Sequence, residues 1–354
     1  GNAQIGTAST PQMRRVASSN LNTTSVLPID LDREGTGGRV LLSINEAVVL
    51  GITANPTQGD GVVRYIITYL EKMDIWIPSG ATTLTGVVVN IHGGGFIGGS
   101  KNGLYSNSTT IDSFLADGVA YVGVDYDLVN TDRELVGYRT IFNRFKLAIQ
   151  TLKHNNVFLN IDKAKFILDG GSSGAGLAMW LAYGPERAEP ANSNPILRES
   201  TAALGVTLVR PQATYDIVKW ETQIFAPLGY SLQADVNTNE LSRLGLYRVY
   251  AIESYTELFT PEIIAYRAEL DMLQFIADGG GVETYLNSPD TLHTDIVSNT
   301  VIDITHSPYH GQAIKTALDA QGIANVTYIQ GLGITDPSGE TEGEFIRRLL
   351  GVTT

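Results

Sequence analysis

The sequence predicts an α/β protein with a mostly parallel central sheet flanked by helices, and with a helical excursion inserted late in the chain. Three observations carry that prediction. Short apolar runs rich in β-branched residues, such as "GVVVNI" at 86–91, have the pattern of strands buried on both faces. They alternate with segments whose apolar residues recur at helical spacing, such as "TIFNRFKLAIQTLKHN" at 140–155. From about 213 to 285 that alternation stops, and stretches such as "TPEIIAYRAELDMLQFIADGG" read as helix without a clear strand.

Taken in order, residues 1–35 are rich in Ser, Thr, Asn and Gly and have no sustained period, which predicts an N-terminal arm lying on the body of the protein. Residues 36–354 are expected to form a single domain. "VVRYIITYLEKMDIWIP" (62–78) alternates like a strand pair turning at Glu71–Lys72. "VAYVGVDYDL" (119–128) and "AKFILDG" (164–170) read as buried strands, and "GAGLAMWLAYG" (174–184) as a helix. "ALGVTLV" (203–209) is a further strand. After the helical excursion the pattern resumes with strand "NTVIDIT" (299–305), helix "GQAIKTALDAQG" (311–322), strand "NVTYIQG" (325–331) and helix "EGEFIRRLLG" (343–351). No internal repeat is present.

Composition narrows the function classes. A net charge of −13 opposes a non-specific grip on nucleic acid or anionic lipid. No apolar run reaches the length of a membrane span. The 354 residues include no cysteine, which removes disulfides, thiolate nucleophiles and thiolate-bound zinc together. The N-terminus lacks a basic-then-apolar leader pattern, while N-x-S/T triplets at Asn22, Asn107 and Asn325 lean the reading towards secretion. Neither G-x-x-x-x-G-K-[ST] nor a strand-following G-x-G-x-x-G occurs, and His306 and His310 lack the glutamate of a zinc H-E-x-x-H helix. No cofactor and no metal is therefore expected.

Two glycine-rich stretches carry chemistry. "GGSSG" at 170–174 follows a strand pattern, precedes a helix and satisfies G-x-S-x-G, with Ser172 at its centre. That spacing places a serine on a tight strand-to-helix turn, where the helix N-terminus favours negative charge nearby. "HGGGF" at 92–96 ends the earlier strand 86–91. Glycines there let backbone amides come close to a substrate, and each such donor to a developing oxyanion supplies about 2.7–4 kcal/mol. The expected donors are the amides of Gly93, Gly94 and Ser173. His92 reads as a structural hydrogen-bonding residue.

These blocks resemble the α/β-hydrolase esterases, and most closely the hormone-sensitive-lipase-like and type-B carboxylesterase group. The resemblance runs over residues 62–184 and more loosely to the end of the sheet. It implies the α/β-hydrolase fold with a helical cap, a small-molecule ester substrate, and hydrolysis through an acyl-enzyme on Ser172. The family usually carries an acid where this chain has Gly171, and a histidine about where Ile334 stands. No histidine follows His310. The active reading is therefore an exchange of positions, with His306 as general base and Asp336 orienting it. His310 is the second choice of base, and Asp303 or Asp295 the alternative acid. His154 and His293 read as a helix-end and a loop residue. Trp220, Phe225, Tyr255 and Phe259, with "YSLQ" at 230–233, are candidates for an acyl pocket. Two other functions use the same frame: a catalytically silent binding protein, or an acyl transferase or lyase.

Overall fold

A computed structural model describes residues 29–32, 39–43, 72–78, 84–129, 137–293 and 304–352. Among the described residues, nine strands form one sheet in the order β1-β2-β3-β5-β4-β6-β7-β8-β9. They are β1 (Ile29–Asp32), β2 (Arg39–Ser43), β3 (Lys72–Trp76), β4 (Thr85–Ile91), β5 (Ala120–Val124), β6 (Ile161–Gly171), β7 (Gly205–Val209), β8 (Glu283–Ser288) and β9 (Asn325–Ile329). The first three strands pair antiparallel with one another, and β3 pairs antiparallel with β5. From β5 to β9 every pairing is parallel. Strand β1 lies inside the stretch expected to be an arm; residues 1–28 lie outside the described residues, as does the first half of the strand pair expected from residue 62.

Parallel neighbours need crossovers, and helices supply them. Among the described residues these are α1 (Ser108–Ala116), α2 (Gly137–His154), α3 (Asn156–Leu159), α4 (Ser173–Tyr183), α5 (Leu232–Thr238), α6 (Glu240–Tyr250), α7 (Pro261–Glu269), α8 (Met272–Ala277), α9 (Pro308–Ala320) and α10 (Glu342–Leu350). One sheet face packs Val87, Val89, Phe166 and Leu168 against Phe142, Phe145, Leu177 and Trp180 from α2 and α4. The other packs Val88, Tyr121 and Ile167 against Phe114, Leu115, Phe345 and Ile346 from α1 and α10. The continuous apolar runs of β4 and β5 are thus buried on both sides, as their composition requires. Helices α5 to α8 occupy the excursion between β7 and β8. No helix among the described residues is long and apolar enough to cross a membrane.

Two expectations change. The excursion ends at residue 282, because Glu283–Ser288 is strand β8, paired with β7 and β9. The strand expected at 299–305 is not there in its described part: residues 304–305 are helical, and the rest lies outside the described residues. "ETYLNS" is short and carries polar residues on both faces, so its pattern merged with the helical text before it.

Strand β4 is the place where the chain's direction of travel across the sheet reverses, with β5 on one side and β6 on the other. Crevices beyond the carboxyl ends of strands at such a reversal are the natural binding sites of open α/β sheets. The HGGGF loop leaves β4 there, and the GGSSG turn leaves β6.

Candidate active site

Ser172 sits between β6 and α4 with φ +51° and ψ −117°, a strained conformation for a residue with a Cβ. The turn is held from both sides. The Ser172 amide donates to Val209 O on β7 (2.8 Å). Gly174 lies so close to β4 that a Cβ there would stand 2.1 Å from Ile91 O, so only glycine fits. Gly171, where the resembled family carries an acid, faces open space.

The HGGGF loop lies against this turn. A methyl group at Gly93 would stand 3.3 Å from Ser172 Cβ and 3.0 Å from Gly171 O. Gly94 has φ +124°, and its carbonyl accepts from the amides of Ile97 and Gly98, closing a tight loop. Phe96, also at positive φ, is buried beside Tyr126, Tyr138, Phe142 and Tyr215 and anchors the loop in the core. His92 stacks on Tyr126 at 4.2 Å and donates through Nδ1 to Gly93 O (2.6 Å), with Asp125 3.7 Å from its other nitrogen.

Beneath these loops the three strands that carry them are crosslinked. Asn90 Nδ2 on β4 donates to Asp169 Oδ2 on β6 (2.8 Å), and Thr207 Oγ1 on β7 donates to Asp169 Oδ1 (2.7 Å).

His306 meets Ser172 directly: Nε2 lies 2.8 Å from Ser172 Oγ. A serine hydroxyl at that distance can pass its proton to a neutral imidazole. Burial lowers the His306 pKa from its ordinary 6.5, while Asp290 raises it and Arg210 lowers it by smaller amounts; the balance favours the neutral ring that can accept the serine proton.

His306 is pinned by its backbone. Gln212 Nε2 donates to Thr305 O (2.7 Å), and His310 Nε2 donates to Ile304 O (2.7 Å). His310 is fully buried, accepts from Ala213 N at Nδ1 (3.2 Å), and touches Trp220 and Phe225 edge-on at 4.7 and 5.4 Å. Burial first, against the opposing Ile304 hydrogen bond, pushes its pKa down to about 4. His310 is thus a neutral strut under His306 and does not reach Ser172. Trp220 and Phe225, expected in an acyl pocket, form that strut's packing. Tyr255 stands edge-on to Phe259, which is half-exposed.

The structure does not bring Asp336 to His306. After β9 the chain folds back: Ile334 and Ile329 exchange both backbone hydrogen bonds, and Asp336 Oδ2 accepts from Thr327 N (3.1 Å), two residues before the strand's end. Its other oxygen accepts from Ser338 N (3.0 Å) and Oγ (2.7 Å). Burial would raise the Asp336 pKa, but these bonds outweigh it and lower it. Ile334, the expected histidine position, is consumed in the same return along the sheet edge. Asp295 and Asp303 lie outside the described residues.

Among the described residues, the carboxylate whose charge bears on His306 is Asp290, which the sequence reading missed. It stands two residues beyond β8, held by Arg210 Nε at 2.8 and 3.1 Å. Arg210 follows β7 and has φ +52°. The signal was present in "NSPD": an acid directly after a late strand. Hiding the strand hid the acid. Among the described residues no cluster of three or more His, Cys, Asp or Glu could hold a metal. His154 ends α2, and His293 lies beside Thr291 in the loop after β8.

Residues 73–223 match the family model described as BD-FAE. No curated protein sequence matches the chain. Among solved structures, a truncated carbohydrate esterase from gut microbiota superposes with a TM-score of 0.53 at 13% identity, covering 79% of this chain and 90% of that one. The acetyl ester-xyloside bifunctional hydrolase of Caldicellulosiruptor lactoaceticus gives 0.50 at 12% identity, covering 77% and 83%. Esterase B of Lactobacillus rhamnosis, inhibited by a tributyrin phosphonate, gives 0.50 at 17%, covering 79% and 80%. These likenesses establish a shared α/β-hydrolase fold.

Proposed function

We propose that this chain, whose residues 73–223 match the BD-FAE family model, is a carboxylic ester hydrolase working through an acyl-enzyme on Ser172. The observation that carries the reading is the 2.8 Å hydrogen bond between Ser172 Oγ and His306 Nε2 at the strained turn after β6. Ser172 Oγ attacks the ester carbonyl carbon while its proton passes to His306 Nε2. The carbonyl oxygen becomes an oxyanion facing the amides of Gly93, Gly94 and Ser173. Collapse breaks the bond to the leaving alcohol, which takes the proton from His306. Water, deprotonated by the same nitrogen, then attacks the acyl carbon; the bond from that carbon to Ser172 Oγ breaks, the carboxylic acid leaves, and His306 returns the proton to Ser172 Oγ.

Asp290 takes the acid's role in place of Asp336. Its negative charge favours the imidazolium formed in each step, and Arg210 fixes its position. A small-molecule ester is the substrate class that this machinery suits.

A fluorophosphonate probe followed by peptide mapping tests the reading. Rapid modification confined to Ser172, lost together with turnover of p-nitrophenyl acetate in Ser172→Ala, is the expected result. A folded wild-type sample that neither labels nor turns over the ester would overturn it and leave a binding protein on an esterase frame.

A further inference from the structure

Behind the reacting groups, three hydrogen bonds form a chain with a fixed direction. The Gly95 amide donates to Ser173 Oγ (3.0 Å), Ser173 Oγ lies 2.9 Å from Tyr126 Oη, and Tyr126 Oη donates to His92 O (2.8 Å). An amide can only donate and a carbonyl can only accept. Tyr126 therefore uses its one proton on His92 O, and Ser173 must use its own on Tyr126. Each hydroxyl is engaged as both donor and acceptor. Burial holds the Tyr126 phenol in its protonated form, well above the usual tyrosine range.

The chain joins three separate segments. Gly95 and His92 belong to the glycine loop after β4, Ser173 to the turn after β6, and Tyr126 to the segment after β5. Both hydroxyl residues are buried, with Ser173 1% and Tyr126 5% exposed, so a broken link would leave polar groups without water to replace it. The loop needs holding. Gly94, Gly95 and Phe96 all take positive φ, at +124°, +62° and +62°.

We propose that the Ser173 hydroxyl is a positioning residue for the oxyanion donors. Tied to Tyr126, it holds the 93–95 loop at the separation from the serine turn at which the amides of Gly93, Gly94 and Ser173 converge. The proposal rests on the serine-esterase reading above and adds to it an assignment: the Gly95 proton is engaged by Ser173 Oγ, so Gly95 is the glycine of the three that does not face the oxyanion. Displacement of such donors by an ångström is enough to cost about 10²-fold in rate.

The test compares Ser173→Ala and Tyr126→Phe with the wild-type protein in p-nitrophenyl acetate turnover and in affinity for a boronic acid that forms a tetrahedral adduct. The expected result is a loss of about tenfold or more in kcat with KM within about twofold, matched by weaker boronate binding. The double variant should be no worse than the worse single one, because both break one chain. Should Ser173→Ala fail to fold, Tyr126→Phe carries both readouts, since it keeps the ring stacked on His92. A lowered melting temperature with unchanged kcat and boronate affinity would overturn the proposal as a merely structural link. A wild-type protein without ester turnover would bring down the serine-esterase reading, and this proposal with it.

Discussion

The two halves of the candidate site are built in opposite ways. Residues 92–98 and 170–176 are two short loops at the ends of adjacent strands, each shaped by its own glycines and lying directly against the other. Asp290 follows β8 and His306 precedes α9, and each depends on a partner far away in sequence: Arg210 is 80 residues from Asp290, and Gln212 is 93 from Thr305. Gln212 and His310 hold the carbonyls behind His306, and Arg210 holds Asp290. The first half is local geometry repeated from a motif. The second is a tertiary arrangement, in which two histidines four residues apart take unrelated roles.

That contrast is broken most sharply by the histidines. His306→Ala should lower kcat/KM by about 10⁴-fold or more while leaving the melting temperature nearly unchanged. His310→Ala should instead remove about 2–4 kcal/mol of stability, measured by urea unfolding, because it leaves Ala213 N and Ile304 O unpaired beside a void. Equal kinetic losses with equal stabilities would erase the distinction between base and strut.

The acids give a smaller difference in the same direction. Asp290→Asn should reduce turnover by about 10² to 10⁴-fold, whereas Asp336→Asn should change it by less than about twofold and lower stability by about 1 kcal/mol. Steady-state kinetics on the two variants decides between them. A large loss in Asp336→Asn would restore the exchanged arrangement.

The smallest effect sharpens the other half. Under the serine turn, Glu342 shares the neighbourhood of Asp169, and burial together with that carboxylate pushes its pKa up to about 8 from 4.5. The folded chain therefore holds a proton that the unfolded chain releases between those values. Its contribution to stability is complete below about pH 4.5 and is lost as pH rises through about 8. Glu342→Gln should flatten the fall in melting temperature between about pH 5 and pH 9. An unchanged slope would remove Glu342 from the account.

How much was legible follows the same division. The alternation of apolar runs and helical periods predicted the parallel part of the sheet, because strands buried on both faces must be apolar throughout. The elbow serine and the glycine loop were legible because a tight turn and a close backbone approach admit few residue types. Strand β8 was not, since Glu, Thr, Asn and Ser fall on both of its faces and Leu286 is its one aliphatic residue, which leaves neither an apolar run nor a clean alternation.

The exchange with Asp336 failed for a related reason. The sequence places an acid after the last strand, but it cannot say that Ile334 will pair with Ile329 and turn the loop back along the edge. By itself, then, the sequence determined which residue types stand at the ends of β4 and β6, since those constraints act over a few residues. Only the tertiary structure decided which histidine meets Ser172 and which carboxylate stands near it. Those choices depend on where the ends of β7, β8 and α9 come together, and that is set by contacts between residues 93 and 97 positions apart, Gln212 with Thr305 and Ala213 with His310.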